Sequence, residues 1–156
     1  MHMSRLNLSL SRATPEFQEA ALVAHNVYRC MHGVQHLVWD EKIAEKAQEL
    51  ADKGAFKHST AAERMYVDSS GKESKAEKYK GENLWMCTKD HTFQEALTFA
   101  VNSWYGEIEF TDGGLVGADG QGNGGIVAHY TQVVWAKTRR VGCAVGKMGR
   151  DWDRGD

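Results

Sequence analysis

A chain of 156 residues makes one domain the working unit and is too short for two well-cored ones. Hydrophobic residues at 42% and charged residues at 26% are ordinary globular usage, which sets aside disorder and fibrous polymers. With 19 basic against 21 acidic side chains and a net charge of −2, the chain lacks the basic footprint that a phosphate backbone demands, so no nucleic acid partner is expected.

Residues 1–13 read as an N-terminal extension. Leu6, Leu8 and Leu10 alternate there with polar residues, without the continuous apolar stretch of a secretory signal. The expectation is either a chain that stays inside the cell or one whose leader is missing. The longest apolar run, Ala20 to Ala24, is far below the roughly 20 residues that span a bilayer, so no transmembrane segment is expected.

Thr14 followed by Pro15 reads as an N-cap and first helical position, and Phe17, Ala20, Ala21, Ala24, Tyr28 and Met31 recur at helical spacing up to a stop at Gly33. A second helix opens at Asp40 as N-cap, buries Ile43, Ala44, Ala47, Leu50 and Ala51, and meets Gly54 past its end. Residues 60–80, rich in Ser, Lys and Glu, predict a solvated insertion, and Asn83 to Thr88 a short strand. Thr92 and Glu95 form a capping box for a third helix, which presents Phe93, Leu97, Ala100, Val101, Trp104, Tyr105 and Ile108 to a core.

Seven of the 16 glycines fall between Gly113 and Gly125, which predicts a loop; they follow a helix and precede a strand, the reverse of a phosphate-binding loop. His129 to Trp135 alternates as a strand would, and Val141 to Val145 can pair with it across a turn at 137–140. This order lacks the strict alternation of a doubly wound parallel sheet. It predicts an α+β fold, a small mostly antiparallel sheet covered by helices on both faces. Cys30, Cys87 and Cys143 allow at most one internal disulfide, and each reads as a buried or half-buried thiol acting as a small apolar residue.

Four titratable residues stand where the pattern is densest: His58, Glu82, Glu107 and His129. Taken singly, each has a structural explanation, as a loop His, a strand-end Glu, a solvated helical Glu and a His held by a carbonyl. The surrounding strings weigh against four coincidences. His25-Asn26-Val27-Tyr28-Arg29 resembles an HNxxR motif, Gly81-Glu82-Asn83-Leu84 a GEN[LIV] motif, and His129-Tyr130-Thr131-Gln132-Val133-Val134-Trp135 the HYTQVVW signature of the CAP superfamily (cysteine-rich secretory proteins, antigen 5 and class-one pathogenesis-related proteins). Lys57-His58-Ser59 and Trp104-Tyr105-Gly106-Glu107 fit the same pattern, and the resemblance covers Phe17 to Val145.

The resemblance implies an α-β-α sandwich over residues 14–156, with a cleft lined by His58, Glu82, Glu107 and His129. Two neutral imidazoles, His58 and His129, can hold zinc or another divalent cation and leave positions open for water, while the carboxylates orient the rings. With no third protein ligand, such binding is loose. His25, Asn26, Arg29, Asn83, Thr131 and Gln132 are read as structural parts of the motifs: Asn26 bonds to a neighbouring loop, and Arg29 to a carboxylate or helix end. Trp39, Trp85, Trp104 and Trp135 are core or cleft wall, and Tyr130 is a candidate for the cleft lining.

The chain departs from the family in its few cysteines and in a loop before the HYTQVVW string whose only aromatic residue is Phe110, which lowers the expectation of sterol binding. It also lacks the second signature strand after Val145, an expected truncation that would leave a sheet edge unpaired. The expected function is a non-catalytic binding domain that engages a lipid, a membrane surface or a protein partner through the cleft. The alternative is a metal-assisted or Ser-dependent hydrolase in the same cleft, ranked below binding because no GxSxG string is present. Extracellular placement follows from the resemblance, with a cytosolic, membrane-associated chain as the alternative.

Overall fold

The computed structural model describes residues 14–64, 81–111 and 124–147. Most of the insertion predicted at 60–80, most of the glycine-rich loop, the N-terminal extension and the end of the chain lie outside the described residues. Helix α1 runs from Pro15 to Met31, with the Thr14 side chain accepting from the Phe17 N–H and Pro15 in the first turn, as the sequence predicts. Strand β1 is Val38–Trp39. Helix α2, Glu41–Asp52, is N-capped by Asp40, whose carboxylate accepts from the Ile43 N–H at 3.1 Å. Helix α3, Phe93–Gly106, opens on the expected capping box between Thr92 and Glu95 and passes into a 3₁₀ turn at Glu107–Phe110. Helix α4 is Ala128–Val133, and strand β2 is Arg140–Val141.

Two expectations fail here. The strand predicted from Asn83 to Thr88 is irregular chain. The strand predicted from His129 to Trp135 is α4, so the antiparallel hairpin across 137–140 does not form. Instead β2 pairs with β1 in parallel, Val38 opposite Arg140 and Trp39 opposite Val141. That is the one ladder among the described residues, and it departs from the mostly antiparallel pairing expected of the sheet. Asp40 fastens its end through an ion pair to Arg140 at 3.3 Å.

The layers follow from one period-two segment. After β2 the chain stays extended, with Cys143 and Val145 packed on the core formed by Phe17 and Ala21 of α1 and Leu97 and Val101 of α3. The alternate residues face α2. Gly142 lies so close to that helix that a Cβ would sit 2.1 Å from the Ala44 nitrogen, and one at Gly146 would sit 2.5 Å from the Ala51 carbonyl oxygen. The extended segment is thus the middle layer between α1 and α3 on one side and α2 on the other, the α-β-α sandwich of the expected α+β class.

The exposed faces correct three readings. Met31 points to solvent, and the buried polar positions of α1 are instead His25 and Arg29. Trp135 is 55% exposed rather than core, whereas Trp39 and Trp104 do pack against the core. Cys30 and Cys87 are exposed, so only Cys143 behaves as the expected half-buried apolar thiol, and all three are free.

Candidate functional site

Each motif first earns a structural role. Asn26 spans the turn after α1, donating from Nδ2 to the Leu37 carbonyl at 3.1 Å and accepting the Leu37 N–H at 2.8 Å. Arg29 is fully buried, with no carboxylate in contact among the described residues. Its guanidinium donates to the carbonyls of Gln35, Val133, Trp135 and Thr138 at 2.7–3.1 Å, which decides its sequence alternatives in favour of a helix end, that of α4. His25 is buried with Nδ1 on the Ala21 carbonyl at 2.8 Å, and burial pushes its pKa down from 6.5. Thr131 donates only to the Ala128 carbonyl within α4, whereas the Gln132 side chain lies against Gly81, where a Cβ would meet its Oε1 at 1.7 Å.

Gly54, in the left-handed region at φ +63°, turns the chain out of α2 into the loop that carries His58. The His58 Nδ1 lies 2.6 Å from Glu82 Oε1. Ser59 holds both oxygens of the same carboxylate: its N–H donates to Oε1 at 3.1 Å and its hydroxyl to Oε2 at 2.5 Å. Arg64 stands 3.8 Å from Oε1. It is presented by a turn at 61–64 whose Thr60 and Glu63 cap each other, and Lys53 ties Glu63 back to the end of α2 at 2.8 Å. Burial works against the Glu82 charge, but the Ser59 hydroxyl, His58 and the Ser59 N–H outweigh it and hold the carboxyl below 4.5.

Glu107 follows the end of α3 and reaches the start of α4. Its Oε2 accepts the N–H groups of His129 and Tyr130 at 3.0 and 3.1 Å, and its Oε1 meets His129 Nδ1 at 2.5 Å. The carboxylate thereby satisfies two of the N–H groups that open a helix without a side-chain cap of its own. Trp104 stacks on the His129 ring, 6.4 Å between centroids and 21° between planes, and its indole N–H donates to the Leu84 carbonyl. Tyr130 is half-buried, edge-on to Tyr105 and His32.

The structure therefore joins the four expected residues as two His–Glu pairs, His58 with Glu82 and His129 with Glu107. The segment between them is the tether: Asn83, next to Glu82, donates to the His129 carbonyl at 3.1 Å. Sequence reasoning missed Ser59 and Arg64 as partners of Glu82. Ser59 stood beside His58 in plain view, but nothing in a string of residues says which way a hydroxyl donates. Among the described residues no group of three or more His, Cys, Asp or Glu is arranged to hold a metal ion, and no helix is long and apolar enough to cross a membrane.

Three ordered motifs on a helix–sheet–helix sandwich define a CAP domain. The family model described as "CAP: Cysteine-rich secretory protein family" matches residues 22–153, and the chain belongs to that family. It is 32% identical over 137 residues to GLIPR1-like protein 1 of Homo sapiens, covering 84% of this chain and 51% of that protein. It is 33% identical over 133 residues to Secreted protein RBT4 of Candida albicans, covering 83% of this chain and 30% of that one. The chain thus spans about half the length of the human relative and less of the fungal one. The crystal structure of NaASP2 with Zn2+ shares the fold at a TM-score of 0.63 and 21% identity, covering 87% of this chain and 75% of that one.

Proposed function

We propose that residues 14–156 form a non-catalytic CAP-type binding domain that works outside the cell, engaging a lipid, a membrane surface or a protein partner through a cleft lined by His58, Glu82, Glu107 and His129. The observation that carries this reading is the shared wiring of the two imidazoles. Each gives its Nδ1 to a carboxylate, which leaves Nε2 as its one unspent ring nitrogen and keeps that nitrogen in the form that ligates a metal or accepts from a ligand. This donor set fits a divalent cation such as zinc, with His58 and His129 as its protein ligands and the two Glu in support; bound there, the cation would supply a Lewis-acidic centre for an oxygen or nitrogen of the partner. Two protein ligands make the affinity low. A neighbour in fold that was crystallised with Zn2+ supports the metal reading, and a relative named as a secreted protein supports the location.

Ser59 gives the Ser-dependent hydrolase no support, because its hydroxyl donates to Glu82 rather than to an imidazole that could take its proton. Calorimetric titration with zinc, and with anionic or sterol-containing vesicles in its presence and absence, tests the proposal. Heat on zinc or vesicle addition that is lost in His129→Ala is the expected result. No heat from any titrant with the intact protein would count against both the metal and the lipid parts.

A further inference from the structure

We infer that Ser59 is the positioning residue of the His58–Glu82 pair, an inference that rests on the reading of these residues as a binding site and adds a member to it. A carboxylate beside an imidazole orients the ring only if the carboxylate is itself held. At Glu82, among the described residues, one residue engages both oxygens. The Ser59 N–H engages Oε1 and the Ser59 hydroxyl engages Oε2, so the carboxylate plane is fixed at both oxygens. Oε1 is then left facing His58 Nδ1 at 2.6 Å, with Arg64 at 3.8 Å as a distant fourth neighbour. His58 is half exposed at its side chain, and among the described residues the Glu82 contact is the one hydrogen bond that orients its ring.

The other pair supplies the contrast. Glu107 is held by two main-chain N–H groups, those of His129 and Tyr130, which no side-chain substitution removes. The two halves of the site therefore differ: backbone N–H groups supply both of the Glu107 holds, whereas at Glu82 the Ser59 N–H holds Oε1 and Oε2 depends on a hydroxyl outside the four motif residues. Loss of that hydroxyl releases Oε2 and lets the carboxylate rotate, so that His58 loses its fixed Nδ1–H tautomer while His129 keeps its own.

The test is nitrogen-15 NMR of the imidazoles at a pH where both rings are neutral, on the full chain, with Ser59→Ala and Ser59→Thr beside the wild type. Wild type and Ser59→Thr should show His58 as a single Nδ1–H tautomer, and Ser59→Ala a mixture, with His129 unchanged in all three as the internal sign that the variants are folded. Cobalt(II) titration of the same samples should weaken by about tenfold in Ser59→Ala and recover in Ser59→Thr. An unchanged His58 tautomer in Ser59→Ala, or a failure of Thr to restore it, overturns the inference. A tautomer change without cobalt binding in the wild type upholds the positioning role and removes the metal from the proposed function.

Discussion

Burial sets the pH range over which individual side chains support the fold. His25 lies buried with its pKa pushed down from 6.5 by desolvation, so below 6.5 the unfolded chain takes up a proton that the folded chain refuses, and stability falls as pH falls. Glu82, held below 4.5, adds a second loss as acidity increases further. Cys143 acts at the other end. Burial pushes its thiol up to about 12 from 9.0, so the unfolded chain alone loses that proton above pH 9 and stability declines as pH rises. Urea unfolding across pH should give a plateau between 6.5 and 9 with falling flanks; His25→Gln should flatten the first part of the acid flank, and an unchanged flank would contradict the assignment. None of this was legible in the string. His58 and Glu82 are 24 residues apart and Glu107 and His129 are 22 apart, so pairing needs the fold, whereas the identity of the four residues was readable from their motifs.

Helix ends were readable wherever the signal is local. Thr14, Asp40 and Thr92 cap the three long helices through side chains within three residues of their partners, and all three starts stand as expected. Helix α4 was misread for the converse reason. Six residues are too few to show a helical period, and the group that steadies the start of this helix, Glu107, comes from another element. Similarly, β1 finds its parallel partner a hundred residues on in the chain, beyond the reach of any hairpin signal. The contact of the extended segment with α2 carries a direct prediction. Gly142→Ala places a Cβ 2.1 Å from helix backbone, which cannot yield as a side-chain tip can, and should cost about 1–3 kcal/mol or more in urea unfolding. Gly81→Ala, facing only the flexible tip of Gln132, should cost less; the reverse order would argue against the middle-layer packing.

Arg29 sits where α1 meets three other stretches of the described chain. Its buried guanidinium links α1 to the loop at Gln35, to the end of α4 and to the turn before β2, and these tie the start of the sheet to the helix that carries His129. Lysine offers a point charge in place of a planar fork and cannot serve four carbonyls, so Arg29→Lys should lower the unfolding free energy by roughly 3 kcal/mol. An unchanged denaturation midpoint would show that the junction is held elsewhere. At this scale the central proposal is that the two His–Glu pairs, joined by the Asn83 contact to the His129 carbonyl, present both Nε2 atoms to one cation in the proposed cleft. Anomalous diffraction from crystals soaked in zinc tests it most directly. The account predicts a single peak shared by the Nε2 atoms of His58 and His129; separate peaks on each ring, or none on either, would contradict it.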